Sequence, residues 1–264
     1  MRLRCVALIL CFLCLSCVGV AQARTVVVIA HRGEHNHHPE NTIPAYKAAI
    51  KLGADFVEVD VRTTKDGKIV IMHDSTVNRT TNGHGAIRDM TFHQIMNLDA
   101  GMKFGPQFRG TRVPTLNQVL RLAEGHIGIY LDCKAIKPSV LVAAIDRYHM
   151  ESHVVIYGYS MGFLKAVQKL RPDFRVMPEA KTAALVRTEI RLLHPQVFAF
   201  SASDWKDPII AIARQTGAGI YVDRMGTADN PASWQDAIDR GATGIQTNQP
   251  AELLRYLRTH GYHR

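Results

Sequence analysis

The sequence predicts an α/β fold, a (β/α)8 TIM barrel with a small subdomain inserted after the second strand and its hairpin. Eight short β-branched segments alternate with eight helical segments, which is the pattern of parallel strands joined by helical crossovers. Eight such units suit a closed barrel of ordinary size. Polar residues stand where several strands end, as expected if these ends converge at one mouth of a barrel. A doubly wound open sheet is the alternative.

The first strand–helix unit has clear boundary signals. A predicted strand over 25–30 precedes a predicted helix over 42–52, in which Thr42 can act as N-cap and Gly53 can end the last turn. Pro231 and Gly241 delimit a later helix in the same way. The other predicted strands are 56–61, 127–132, 154–157, 175–177, 197–200, 220–222 and 244–247, and the other predicted helices are 115–123, 139–148, 161–170, 182–193, 208–216, 231–239 and 250–259.

A hairpin interrupts the alternation after the second strand. Asp66 and Gly67 separate two apolar runs, which is the strongest short-range signal for a β-hairpin. With a two-residue loop, Asp60 lies directly opposite His73, and residues opposite each other share one face of the hairpin. Glu58 shares that face with Asp60 because side chains alternate along a strand. We therefore expect Glu58, Asp60 and His73 to lie close together.

Residues 75–114 form the predicted insertion. This segment contains five glycines and no strong strand pattern, so we expect an excursion over the strand ends. A short helix is predicted near 91–98.

The N-terminus has the features of a secretory signal peptide over residues 1–23. Arg2 and Arg4 precede an apolar run, and a small-residue cleavage site ends at Ala23. The run is too short and too cleanly ended for a stable membrane span. We expect the domain over 24–264 to be exported, to the periplasm or outside the cell. A lipoprotein signal acylated on Cys17 is the alternative.

Charge and cysteine content restrict the partners. The formal net charge is +9, and loss of the signal peptide with its two arginines would leave +7. This surplus is compatible with anionic substrates, nucleic acid or acidic membrane surfaces, but taken alone it indicates no more than a solvated basic surface. The cations are scattered and are not interleaved with aromatic residues, which argues against nucleic acid. Four of the five cysteines lie in the predicted signal peptide, so only Cys133 remains and no internal disulfide is expected.

Three acidic residues at strand ends form a candidate metal site. Glu58 and Asp60 belong to the second predicted strand, and Asp132 ends the third. Carboxylate oxygens are the ligands that Ca²⁺ and Mg²⁺ prefer. Three carboxylates at an apolar barrel mouth would repel one another without a cation. The alternative is that these carboxylates form salt bridges that hold the strand ends together.

Two histidines and two positively charged side chains complete the candidate site. His31 and His73 are a candidate acid–base pair, because imidazole titrates near neutral pH. Arg32 has the planar donor fork that suits phosphate, and a surface ion pair is the alternative. Lys134 shares a face with Asp132 and can offset negative charge in a transition state, or form a plain salt bridge.

The segment between 31 and 42 contains further polar residues. Glu40 and Asn41 are expected to fix the His31 loop by capping the first helix. Three more histidines lie here, and solvated loop side chains are favoured over a second metal site, which needs well-spaced ligands. These histidines are His35, His37 and His38.

The motifs together resemble those of the glycerophosphodiester phosphodiesterase family, within the phospholipase C-like phosphodiesterase superfamily. His-Arg-Gly followed after five residues by Pro-Glu-Asn-Thr is the opening signature of the family, and it occupies 31–42. Glu-x-Asp-x-Arg-x-Thr-x-Asp-Gly occupies 58–67, and His-Asp follows at 73–74. Weaker similarity covers 78–83, 98–101, 113–116 and 131–134.

The resemblance implies metal-dependent hydrolysis of glycerophosphodiesters to sn-glycerol 3-phosphate and an alcohol, with two histidines in acid–base roles. The chain departs from the family at three places. Asp132 stands where many members have Glu, Tyr-Val-Asp-Arg at 221–224 replaces a common Trp-Thr-x-Asn, and Asn248 replaces a common Asp. Two alternatives remain: a phospholipase D-like or lysophospholipase D-like activity on lipids, and a secreted protein that binds phosphodiesters without cleaving them.

Overall fold

Eight parallel strands form the sheet of the computed structural model, which describes residues 25–264. The strand order is β6-β5-β4-β2-β1-β9-β8-β7, and a ninth strand, β3, pairs antiparallel with β2. The predicted signal peptide and its alternative, acylation at Cys17, lie outside the described residues. The strands are β1 (Val27–Ala30), β2 (Phe56–Thr63), β3 (Ile69–Ile71), β4 (Gly128–Ala135), β5 (Val154–Tyr157), β6 (Arg175–Met177), β7 (Val197–Phe200), β8 (Gly219–Arg224) and β9 (Gly244–Thr247).

One parallel bridge joins the two ends of the strand order. It pairs Glu179, which follows β6, with Ala199 of β7. The backbone N–H of Ala199 donates to the Pro178 carbonyl at 3.0 Å, and the backbone N–H of Ala180 donates to the Ala199 carbonyl at 2.8 Å. The sheet is therefore a nearly closed barrel, and the predicted (β/α)8 architecture is confirmed.

Helices connect successive strands around the barrel. Four of the α-helices begin with a threonine or serine whose hydroxyl accepts a backbone N–H in the first turn, as the sequence pattern favours. Within residues 25–264 the α-helices are α1 (Ile43–Leu52), α2 (Phe92–Met96), α3 (Leu116–Ala123), α4 (Pro138–Arg147), α5 (Met161–Leu170), α6 (Ala183–Leu193), α7 (Asp207–Arg214), α8 (Pro231–Asp239) and α9 (Pro250–Thr259). None of these helices has the length and apolar character of a membrane span.

Alternation along β2 separates the core from the candidate site. Val57, Val59 and Val61 are buried in the main hydrophobic cluster, with residues of the surrounding helices. Glu58 and Asp60 alternate with them and therefore point into the barrel. This arrangement places two carboxylates at the mouth of the barrel without interrupting the apolar layer outside it.

The hairpin β2–β3 has a different register from the predicted one. Thr63 pairs with Ile69, so the loop has three residues between Thr64 and Lys68, and Gly67 adopts the left-handed conformation with φ 77°. The backbone N–H of Met72 donates to the Asp60 carbonyl at 2.9 Å. The prediction that His73 lies opposite Asp60 is therefore wrong, because Asp-Gly also suits a three-residue loop with glycine at its left-handed position.

The segment 75–114 packs over the hairpin. Its apolar residues form a small cluster of their own, which also contains Val70 and Met72 from the hairpin. The short helix predicted near 91–98 is α2, and Thr91 and Gln94 form a capping box at its start.

Candidate active site

Three carboxylates converge at the mouth of the barrel. Glu58, Asp60 and Asp132 each offer an oxygen within 4.8 Å of the others, and the three residues are 2%, 1% and 8% exposed. The register of the two parallel strands explains this meeting, because Asp60 of β2 pairs directly with Asp132 of β4. Although aspartate is one methylene shorter than glutamate, Asp132 reaches the cluster.

Burial and mutual repulsion disfavour the ionised form of this cluster. Burial, together with the neighbouring Asp60 and Asp132 carboxylates, raises the pKa of Glu58 well above its usual range. Burial also raises the pKa of Asp132 to about 6, although Lys134 opposes this shift. A divalent cation among the three carboxylates would relieve the repulsion.

The buried oxygens of the cluster fit a hard cation. Asp132 Oδ1 is buried and accepts no hydrogen bond, and Asp60 Oδ1 is buried and makes an ion-pair contact with Lys134 Nζ at 3.4 Å but no hydrogen bond. Buried polar atoms without a hydrogen-bond partner are uncommon in native proteins, and each asks for an explanation. Oxygen atoms of carboxylates are the ligands that Ca²⁺ and Mg²⁺ select. These three residues therefore form a site that fits a divalent metal ion.

Lys134, on β4, is the positively charged side chain that lies closest to the acidic cluster. Its Nζ donates to Asp132 Oδ2 at 2.5 Å and lies 3.4 Å from Asp60 Oδ1. Burial alone would lower the pKa of Lys134, but Asp132 and Asp60 raise it above its usual value, so the ammonium stays charged. The predicted common face with Asp132 is confirmed, and the salt bridge that the sequence left open is present.

The His31–Arg32–Gly33 turn brings a guanidinium group to the same mouth. Gly33 has φ 84°, and a Cβ at this position would lie 2.8 Å from the backbone carbonyl carbon of Ala45, so glycine is required. Arg32 is itself left-handed, with φ 54°, and its backbone N–H donates to Glu58 Oε2 at 2.9 Å. Its side chain donates from Nη1 to Glu40 Oε1 at 3.0 Å, and its Nε lies 3.5 Å from Asp60 Oδ2.

His31 is the imidazole nearest to the carboxylates. Its Nδ1 is 2.6 Å from Asn248 Oδ1, and its Nε2 is 4.0 Å from Glu58 Oε2. Because the Asn248 oxygen accepts the Nδ1 proton, Nε2 of the neutral ring is free to accept a proton. Burial first, and the Arg32 charge second, lower the pKa of His31 to about 4.

His73 reaches the site from the loop after β3. The Arg62 guanidinium donates to the His73 carbonyl from Nε at 3.0 Å and from Nη2 at 2.5 Å, which fixes the backbone. The ring bonds through Nδ1 to Asp74 Oδ1 at 2.8 Å, and 38% of the side chain is exposed. The backbone N–H of the preceding residue, Met72, donates to the Asp60 carbonyl at 2.9 Å, so His73 follows directly on the strand pairing that holds Asp60.

Residues 31–252 match the model of the Glycerophosphoryl diester phosphodiesterase family. The chain belongs to this family. A Glycerophosphodiester phosphodiesterase of Caldanaerobacter subterraneus subsp. tengcongensis is 35% identical over 249 residues, which cover 89% of this chain and 99% of the relative. A Glycerophosphodiester phosphodiesterase of Bacillus subtilis is 33% identical over 250 residues, which cover 85% of this chain and 84% of the relative.

Solved structures of the family share the fold. A crystal structure of glycerophosphodiester phosphodiesterase from Agrobacterium tumefaciens superposes with a TM-score of 0.77 at 29% identity, covering 86% of this chain and 98% of that chain. An Oleispira antarctica phosphodiesterase in complex with the product sn-glycerol-3-phosphate superposes with a TM-score of 0.79 at 22% identity, covering 89% and 97%. The family predicted from the motifs is thereby confirmed, and with it the expectation of an enzyme.

The sequence did not indicate how Asn41 is used. Its Nδ2 donates to Asp60 Oδ2 and its Oδ1 accepts from the Tyr46 hydroxyl, both at 2.7 Å. The expectation that Asn41 caps α1 is wrong, because the helix begins after Thr42 without a side-chain cap. Thr42 instead donates to the Pro39 carbonyl at 2.6 Å. A left-handed φ of 55° turns Asn41 away from the helix and towards β2.

The histidines between the two halves of the opening motif make local contacts. His35 Nδ1 lies 2.8 Å from the His31 carbonyl oxygen. His37 and His38 bond to the two oxygens of Glu34 at 3.0 and 2.7 Å. These three histidines therefore make contacts within their own loop, and of the three only His37 is exposed.

Proposed function

We propose that this protein hydrolyses glycerophosphodiesters to sn-glycerol 3-phosphate and an alcohol. The observation that carries the proposal is the meeting of Glu58, Asp60 and Asp132 with Arg32 and Lys134 at one barrel mouth, in a chain of this family. A phosphodiester is anionic and repels nucleophiles, so its hydrolysis requires positive charge around the phosphate.

We assign the metal site to the three carboxylates and its ion to Ca²⁺ or Mg²⁺. When bound, such an ion would neutralise the cluster and stabilise the negative charge that develops on the phosphate oxygens. Arg32 and Lys134 hold two further positive charges beside the cluster. A guanidinium fork binds two phosphate oxygens at once, whereas an ammonium group acts as a point charge.

His31 and His73 transfer the protons in the proposed reaction. The glycerol 2-hydroxyl attacks phosphorus and gives its proton to His31 Nε2, while the bond to the alcohol breaks and His73 protonates the leaving oxygen. This step yields a cyclic phosphate. Water then attacks phosphorus and gives its proton to His73, and the ring oxygen takes the proton back from His31. The assignment of His31 as the first base rests on its free Nε2 and its lowered pKa.

Release of sn-glycerol 3-phosphate tests the proposal. Purified protein is treated with EDTA, dialysed, and assayed on glycerophosphocholine and glycerophosphoethanolamine with Ca²⁺, Mg²⁺ or no added ion. We expect no product after chelation and recovery with one of the two ions. Product release that EDTA does not affect would contradict the metal assignment, and binding of substrate without any product would favour a binding protein.

A lipid substrate is the second candidate. Met102 and Phe104 of the insertion are each 41% exposed, and Phe104 lines a cavity together with Glu40 and Arg79. An apolar rim of this kind would suit an acyl chain. The same assay on micellar lysophosphatidylcholine separates the two, because a glycerophosphodiesterase is expected to prefer the water-soluble substrates.

We also propose export of the protein, on the strength of the basic, apolar and small-residue segments over 1–23. N-terminal sequencing of protein from the exported fraction is expected to begin at Arg24. Retention with an intact N-terminus would contradict this, and a Cys17→Ser variant released from a membrane fraction would favour the lipoprotein alternative.

A further inference from the structure

Arg79 joins two parts of the site that are far apart in sequence. Its Nε and Nη2 donate to Asp74 Oδ2 and Oδ1 at 2.8 and 3.0 Å. Its Nη1 and Nη2 donate to Glu40 Oε2 and Oε1 at 2.7 and 2.8 Å. Two-point contacts between a guanidinium and a carboxylate fix the direction of both groups as well as their distance.

We propose that Arg79 is a positioning residue, which orients His73 through Asp74 and Arg32 through Glu40. The inference rests on the proposed function, in which His73 transfers protons and Arg32 binds phosphate. It assigns a role in the reaction to a side chain of the insertion.

The contact between Asp74 and His73 decides which ring nitrogen is available. Asp74 Oδ1 is 2.8 Å from His73 Nδ1, so Nδ1 carries a proton and Nε2 is left for the substrate. Strand β3 ends at Ile71, and the hairpin makes one more backbone bond at Met72, which does not hold the His73 ring. The orientation of His73 therefore depends on Asp74, and the direction of the Asp74 carboxylate depends on Arg79.

The contact between Glu40 and Arg32 acts in the same way on the phosphate-binding side. Glu40 Oε1 accepts from both Arg32 Nη1 and Arg79 Nη2. Although burial raises the pKa of Glu40, the Arg79 and Arg32 guanidinium groups hold it below its usual value. Arg79 likewise holds the pKa of Asp74 far below its usual value. Both carboxylates are therefore ionised throughout the neutral range.

Because Arg79 is exposed, a role in positioning His73 and Arg32 and a role in stabilising the fold predict different results. The Arg79 side chain is 47% exposed, and ion pairs at such positions contribute little to folding stability. Positioning predicts a loss of kcat with little change in thermal stability, whereas a structural tie predicts the reverse.

Kinetics of Arg79→Gln and Arg79→Lys, with Arg112→Gln as the matched control, test the inference. Arg112 lies in the same insertion, is exposed, and bonds to the Asn97 and Leu98 carbonyls. Loss of a residue that orients a site typically costs about 10- to 100-fold in activity. We expect a loss of this size in kcat for Arg79→Gln, partial recovery in Arg79→Lys, and wild-type kcat in Arg112→Gln.

A double-mutant cycle with Asp74→Asn shows whether Arg79 acts through Asp74. If it does, Arg79→Gln costs much less in the Asp74→Asn background than in the wild type. Losses that multiply would overturn the inference, as would a change in Tm or KM without a change in kcat.

An NMR measurement on ¹⁵N-labelled histidine keeps this test separate from that of the proposed function. At a pH at which the His73 ring is neutral, we expect its proton on Nδ1 in the wild type and a mixture of the two tautomers in Arg79→Gln. An unchanged tautomer in Arg79→Gln would overturn the inference, even if the wild type is active. A wild type that releases no sn-glycerol 3-phosphate would overturn the proposed function instead.

Discussion

Asn41, in the loop before α1, donates from Nδ2 to Asp60 Oδ2 of β2 at 2.7 Å, and both side chains are buried. Asn41→Ala would leave Asp60 Oδ2 and the Tyr46 hydroxyl without this partner. Since an unsatisfied buried polar group costs about 1–3 kcal/mol, we expect a loss of that size in the free energy of unfolding. Urea denaturation measures it, with Asn117→Ala on the exposed face of α3 as control. Equal stability of the two variants would contradict the role of Asn41.

Glu58→Gln distinguishes a metal site from a structural salt-bridge cluster. Glu58 lies among like charges, and its raised pKa means that the ionised carboxylate destabilises the folded protein above the usual glutamate pKa. Without metal at pH 8 we therefore expect the variant to be more stable by about 1–3 kcal/mol. With excess Ca²⁺ or Mg²⁺ the order should reverse, because only the wild type gains from the bound ion.

Thermal unfolding with EDTA and with each ion provides the measurement for Glu58→Gln. The structural alternative predicts that the variant is less stable under both conditions. Glu124→Gln, at an exposed position after α3, serves as control and should respond to neither ion.

Asn248→Asp should move the acid side of the pH–activity profile. A neutral amide faces His31 Nδ1 at 2.6 Å, and burial holds the pKa of His31 near 4. A carboxylate at the same place would favour the imidazolium form and raise the pKa of His31. The ring would then become protonated, and stop acting as a base, at a higher pH. We expect activity to be lost on acidification about 1 pH unit earlier than in the wild type. Profiles of kcat/KM that superimpose would contradict His31 as the base.

Glu189 on α6 should make the stability of the fold depend on pH. It is 4% exposed, and burial, followed by repulsion from Glu179, raises its pKa to about 7. Because the folded pKa exceeds the unfolded one, stability is fully present below about pH 4.5 and declines until about pH 7. Glu189→Gln removes this loss.

Urea denaturation at pH 5 and pH 8 checks the prediction for Glu189. We expect Glu189→Gln to exceed the wild type by about 1–2 kcal/mol at pH 8 and to match it closely at pH 5, since a buried carboxylate without a partner is costly only when ionised. A gain of the same size at both pH values would show that packing, and not charge, is responsible.

Local sequence patterns were sufficient for most of the barrel and for its acidic site. Alternation along β2 and β4 placed Glu58, Asp60 and Asp132 inside the barrel, because a period of two is set by strand geometry alone. Register is a finer property. Asp66 and Gly67 fit loops of two or three residues, and a change of one residue moves His73 from one hairpin partner to the next.

Contacts between distant segments were beyond the reach of local patterns. Arg79 meets Glu40 across 39 residues, and Asn248 meets His31 across 217. Such contacts depend on how the insertion and the last strand dock on the barrel, which spacing does not determine. The left-handed backbone of Asn41 was also hidden, since a helix-start motif normally predicts a cap.

The two histidines are anchored to different parts of the molecule. His31 follows β1, and its backbone N–H donates to the Thr247 carbonyl at 3.1 Å, whereas His73 belongs to a loop tied to the insertion through Asp74 and Arg79. Partial opening of residues 75–114 would thus withdraw one of the two proposed proton carriers and leave the three carboxylates of the proposed metal site in place. Turnover would then depend on the mobility of residues 75–114, whereas metal affinity would not. Substitutions could therefore change either quantity without changing the other.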